Sequence, residues 1–161
     1  MGIEIVEFNG ANSHHAAAIV QLMDEYASGP TGGGQGLSET VKARLPQELQ
    51  ARSNAHVILA FVDRNPAGLI IAFEGFSTFA CAPLLNLHDV IVSERYRGKG
   101  LFKLLFAQLE VIAQRLGCCK LTLEVLAGNT VAQSAYRSVG FAGYELDPAM
   151  GQALFWQKKL T

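Results

Sequence analysis

The stretch that decides the fold is VIVSERYRGKGLFKLLF, residues 90–106. An apolar run ends at Val92, a knot of Arg95, Arg97, Gly98, Lys99 and Gly100 follows, and an amphipathic pattern begins at once. Leu101, Leu105, Leu109, Ile112 and Leu116 recur at helical spacing and predict a helix over 101–116, stopped by Gly117. A strand, a cationic glycine turn and a helix in that order set unpaired helix N–H groups beside full positive charges, which suits a phosphate or pyrophosphate. Two familiar phosphate loops do not match. Leu101 follows Gly100 where a P-loop needs Lys-Ser/Thr after its glycine, and Lys103 stands where a dinucleotide fingerprint needs its third glycine. Taken alone, the knot also reads as a solvated basic turn.

Working outward, IEIVEF (3–8) alternates as a first strand, and helical spacing runs from Asn12 to Tyr26. SGPTGGGQG (28–36) breaks regular structure, as a lid or as a mobile connection, and Ser38 opens a second helix to Arg52 that Pro46 divides. HVILAFVD (56–63) and LIIAFEGFSTFA (69–80) flank the turn RNPAG as a hairpin, and LLNLHDVIV (84–92) is a further strand. After the central helix, KLTLEV (120–125) places Leu121, Leu123 and Val125 on one face. Thr130–Ser138 is a short helix ended by Gly140, and GYEL (143–146) and ALFWQKKL (153–160) pair as a closing hairpin. The expectation is one α+β domain over residues 1–161: a mixed, mostly antiparallel sheet of about seven strands, a parallel β-α-β crossover at its centre and helices on both faces.

Composition narrows the function classes. Half of the 161 residues are apolar and the net charge is −1, which describes a globular chain with no field to draw it to nucleic acid or an anionic membrane. No apolar run approaches the ~18 residues of a membrane span, and MGIEIVEFNG lacks the basic-then-apolar order of a signal peptide. Three cysteines, Cys81, Cys118 and Cys119, argue against a disulfide framework and for the cytoplasm. No His/Cys spacing suggests zinc, so no metal is expected, and the adjacent His14 and His15 read as exposed helix residues.

Arg95-x-x-Gly98-x-Gly100 after LHDVIV, followed by KLTLEVLAGNTVAQSAYRSVGF, resembles the GNAT superfamily of acetyl-CoA-dependent N-acyltransferases. The first motif falls at the start of the central helix; Asn129, Tyr136, Gly140 and Phe141 carry the second. Phe102 departs from the small residue that many members carry there.

The resemblance implies a GNAT-like fold and acetyl-CoA as acyl donor. It implies that the strand before the phosphate loop splays from its parallel neighbour, so that Val90, Ile91 and Val92 offer main-chain groups to the pantetheine arm. An N–H near Val90 would polarise the thioester carbonyl, and Arg95 and the loop Arg97, Gly98, Lys99, Gly100 and Leu101 would hold the pyrophosphate. Asn129 would contact the arm and Tyr136 would protonate the departing thiolate as general acid.

For the base that deprotonates an ammonium of pKa ~10.4, His88, Asp89, Glu74 and Glu124 are candidates. His88 is preferred, with Asp89 beside it; neighbours on a strand face opposite ways unless a bulge intervenes. Histidine stands where small polyamine-type relatives carry glutamate, which unsettles both the base and a polyamine substrate. Tyr26, Glu74 and Phe76 are candidates for the acceptor wall. The reading is an N-acetyltransferase acting by direct attack in a ternary complex on the primary amine of a small molecule or peptide. A non-catalytic acyl-CoA sensor on the same fold is the rival, and a homodimer is what the family suggests.

Overall fold

The computed structural model describes every residue from Met1 to Thr161, in two compact units, Met1–Leu123 and Glu124–Thr161. The first unit carries one sheet in the order β1 (Ile3–Glu7), β2 (Ala55–Val62), β3 (Asn65–Ser77), β4 (Ala82–Val92) and β5 (Leu121–Leu123). β1 to β4 run antiparallel to their neighbours, and β5 lies parallel to β4. Its helices are α1 (Ser13–Ser28), α2 (Glu39–Gln50) and α3 (Leu101–Leu116). The second unit contains α4 (Thr130–Ser138). None of the helices is long and apolar enough to cross a membrane.

Local chemistry sets the helix ends. The Asn12 carboxamide accepts from the N–H groups of His14 and His15, and the Ser38 hydroxyl accepts from Val41 N–H, so both helices begin on a side-chain cap. α2 runs through Pro46, which is buried inside it and does not divide the helix. α3 has the expected limits and ends at Gly117 with φ 73°, a left-handed cap that glycine adopts without strain. The β2–β3 turn is tighter than the segment expected for it: Asp63 and Arg64, both at positive φ, join Val62 to Asn65.

Side-chain alternation sorts β2 and β3 onto two layers. Val57, Leu59, Phe61, Leu69, Ile71 and, from β4, Ile91 pack with Ala18, Ile19 and Leu22 of α1 and Leu49 of α2. Gly68 lies on the opposite face, where a Cβ would stand 2.9 Å from Leu105 Cδ1 of α3. Ile70 and Ala72 share that parity. Both layers are dry, so this is a sheet covered on two sides.

The sheet has five strands and not the seven expected. GYEL and ALFWQKKL form no strands; one hydrogen bond, Ala153 N–H to Tyr144 C=O at 3.3 Å, spans them. Between them Pro148–Met150 make a 3₁₀ turn and Gly151 takes φ 78°. Leu154, Phe155 and Trp156 are exposed, so no buried face fixes a strand register there.

Candidate functional site

Three features of the first unit bring the candidate residues together. The first is an open edge on β4. β5 pairs with β4 only at Leu85–Leu121, Asn86–Thr122 and Leu87–Leu123, whereas β4 stays paired to β3 as far as Val92. From His88 onward the backbone of β4 therefore has a strand neighbour on one side alone.

The second feature is a bulge at the same place. Ile71 pairs with Asp89 and Ala72 with Leu87, so His88 is the surplus residue. Register puts Asp89 opposite Ile71, on the α1 side of the sheet. The His88 ring lies on Phe73, a residue of the same layer, with centroids 4.7 Å apart. Adjacent residues thus share one face, which plain alternation forbids. Burial pushes the Asp89 carboxyl above its usual range, and neighbouring His88 pulls partly against that.

The third is the loop. A 3₁₀ turn, Glu94–Tyr96, leads from β4 into it. Gly98 and Gly100 take φ 75° and 77°, and a Cβ at either would meet nothing within 4 Å, so backbone conformation alone demands glycine. Gly100 is the N-cap of α3 and offers no side chain to the first turn. The N–H groups of Gly98, Lys99, Gly100 and Leu101 find no acceptor within the chain. Lys99 Nζ and the Arg95 guanidinium sit 5.2 Å and 5.7 Å from the Tyr96 ring centroid, while Arg97 pairs with Glu94 at 3.6 Å. Four open amides, a helix dipole and two cations free of any ion pair form an anion cradle.

The other candidates lie apart from these, though Glu74 and Phe76 line one shallow hollow of about 390 Å³ with Ser53, Asn54 and Gly75. Glu74 shares the parity of Ile70 and Ala72 and lies 3.7 Å from His56 Nε2, on the sheet face opposite His88 and Asp89. Phe76 is exposed near the far end of β3, paired to Pro83. Tyr26 lies in the last turn of α1 and its hydroxyl donates to Thr31 C=O at 3.4 Å. Cys118 and Cys119 follow α3 at its other end, ~24 Å from the loop at ~1.5 Å per residue, and burial holds the Cys118 thiol above its usual range.

In the second unit the Asn129 carboxamide caps α4 by accepting from Ala132 N–H at 3.1 Å. Tyr136, half-buried, meets Phe141 edge-on at 5.9 Å, and Phe141 N–H bonds back to Tyr136 C=O. Glu124 opens this unit and is exposed.

Two acids escaped the sequence reading. Asp24 accepts from Leu37 N–H at 2.8 Å and pairs with Lys42 at 3.3 Å, closing the glycine-rich segment against α1 and α2. Glu25 accepts from Glu94 N–H at 3.2 Å. A signal was available: carboxylates near the negative end of a helix with no base in its last turn need partners from elsewhere. An apolar groove of about 830 Å³ between α1 and α2, lined by Phe8, Ala17, Val20, Ala43 and Pro46 among others, contains none of the candidates.

Residues 19–141 match the model of the acetyltransferase (GNAT) family. Streptothricin acetyltransferase of Streptomyces lavendulae is 35% identical over 92 residues, 57% of this chain and 49% of that protein, so the match spans about half of its length. Thialysine N-epsilon-acetyltransferase of Caenorhabditis elegans is 25% identical over 127 residues, 79% of this chain and 77% of that protein. Among solved structures, AAC(6')-Iy in complex with the bisubstrate analog CoA-S-monomethyl-acetylneamine superposes with a TM-score of 0.78 at 18% identity, over 99% of both chains, a likeness of fold.

Proposed function

This chain belongs to the acetyltransferase (GNAT) family, and on that premise we propose that it transfers the acetyl group of acetyl-CoA to a primary amine of a small molecule. The observation that carries the proposal is the conjunction on β4: an open backbone edge from His88 to Val92, ending in a loop whose amides have no internal acceptor. The edge gives Val90, Ile91 and Val92 a use for their main-chain groups, as pairing partners for the amide-bearing pantetheine arm. The cradle Arg97–Leu101, with Arg95 and Lys99, takes the pyrophosphate.

The chemistry follows from the acceptor's ionisation. A primary ammonium near pKa ~10.4 must lose a proton before it attacks. His88 and Asp89, turned to one face by the bulge, receive it directly or through water. The amine nitrogen then bonds to the thioester carbonyl carbon while a β4 N–H near Val90 supports the developing oxyanion. Collapse breaks the carbon–sulfur bond, and the Tyr136 phenol returns a proton to the thiolate. The amide nitrogen of the product gives up its extra proton through solvent, which restores the Tyr136 phenol. Distance from the loop and a raised Cys118 thiol argue against a covalent relay through cysteine. Relatives named for streptothricin and thialysine favour a small, cationic acceptor over a protein.

The test is thiol release from acetyl-CoA across a panel of small amines. Wild type should turn over at least one amine, and Tyr136→Phe should lower kcat by about 100-fold with the acetyl-CoA KM little changed. Tight binding of acetyl-CoA without turnover on any amine would instead support a sensor on this fold.

A further inference from the structure

Asp24 and Glu25 are neighbours in sequence and serve two different loops. Asp24 holds the end of the glycine-rich segment through Leu37 N–H, at 2.8 Å, and α2 through Lys42, at 3.3 Å. The Ser28 hydroxyl donates to Asp24 C=O at 2.8 Å and tightens the same turn. Glu25 accepts from Glu94 N–H, the amide that starts the 3₁₀ turn running into Arg97–Gly100. The glycine-rich segment is packed against this end of α1: a Cβ at Gly36 would stand 2.8 Å from the Asp24 carboxylate, and one at Gly32 would stand 2.0 Å from Tyr26 C=O. Gly29 C=O accepts from both Gly32 and Gly34, so the segment is a folded loop with its own hydrogen bonds.

Two carboxylates near a helix C-terminus oppose the dipole, and no basic residue in the last turn of α1 relieves them. Their partners lie instead on the two loops, one on each. Between the anchors stands a single helical residue step, which cannot stretch or bend as a linker would.

We propose that the Asp24–Glu25 pair couples the two loops: occupation of the Arg97–Leu101 cradle steadies Glu94, Glu25 passes this to the end of α1, and Asp24 passes it to residues 29–37. The inference rests on the reading of that cradle as the donor-nucleotide site. Glu25 and Asp24 are positioning residues, and the coupling makes the glycine-rich segment a lid whose order follows donor binding. By reciprocity, an acceptor that settles the lid tightens the donor site.

Hydrogen exchange with coenzyme A as the probe tests this. In wild type, saturating coenzyme A should slow exchange at 97–104 and also, on the order of 5-fold or more, at 29–37. Glu25→Ala should keep the slowing at 97–104, which certifies its fold, and lose it at 29–37. Glu25→Gln, whose amide oxygen still accepts from Glu94, should restore it. Asp24→Ala should exchange fast at 29–37 with or without coenzyme A. Protection at 29–37 that survives Glu25→Ala, or that is absent in wild type while 97–104 is protected, overturns the coupling alone. Absence of protection at 97–104 in wild type overturns the donor-site reading and the coupling with it.

Discussion

Gly100 and Gly117 cap the two ends of α3 in nearly the same conformation, φ 77° and 73°, and a Cβ at either meets nothing within 4 Å. Alanine at either position therefore meets backbone strain and no steric clash. Holding an L-residue in the left-handed region costs roughly 1–2 kcal/mol. A less flexible unfolded chain returns about 0.4–1 kcal/mol of this, leaving a net loss near 1 kcal/mol at each site. In thermal denaturation Gly117→Ala should show this loss, with Tm lowered by about 2–4 °C for a domain of this size, and Gly100→Ala less of it, by as much as its loop relaxes. Their ligand binding should differ. At Gly100 the chain relieves strain by turning the loop amides away from convergence, and binding must restore them. Acetyl-CoA affinity should then fall by up to the strain itself, about 5- to 30-fold by calorimetry. Gly117→Ala should bind as wild type does. Equal affinity for Gly100→Ala and wild type, or an equal loss in Gly117→Ala, would refute the cradle as the donor site.

Other outcomes follow from single residues. Asp89 has its carboxyl raised by burial, so its contribution to stability is full below its ordinary value of 3.8 and is lost as pH rises through the raised one. Asp89→Asn should accordingly stabilise the fold in urea at neutral pH, a gain that shrinks toward pH 3.8, while slowing amine acetylation. Glu7 behaves oppositely: the Arg115 hydrogen bond lowers its carboxyl, so its contribution is present above 4.5 and is lost as pH falls through the lowered value. Both side chains of that pair are about half exposed, so Glu7→Gln should cost no more than about 1 kcal/mol in urea at neutral pH, and less in high salt. Leu105 is 0% exposed against Gly68, and Leu105→Ala should cost about 2–5 kcal/mol in the same assay.

The central helix and its loop were legible because local signals agreed there: a five-residue apolar stripe, a glycine at each end and a cationic turn. α4 was equally plain, from Thr130 to Ser138. The bulge at His88 left no trace in LLNLHDVIV. With both faces of the sheet covered, apolar residues are welcome on either side, and the pattern does not reveal where parity changes. FEGFST offers Glu74 and Phe76 for an acceptor wall, and the parity of β3, which the sequence alone does not orient, puts Glu74 beside His56 on the face opposite His88. GYEL and ALFWQKKL carry β-forming residues, yet strands need a covered face to set a register and Phe155 and Trp156 have none. Asp24 and Glu25 could be suspected from helix electrostatics, yet their partners at Leu37, Lys42 and Glu94 are long-range facts.

His88 is the one residue of β4 that the β3 ladder does not count. Excising it would leave Leu87 opposite Ala72 and Asp89 opposite Ile71, each side chain on its present layer. The shortened chain should thus fold with an intact core, its β4 regular and without the surplus residue. The placing of two titratable side chains on one face would then vanish for want of a single codon, and the core and that placing would part company as separately heritable traits.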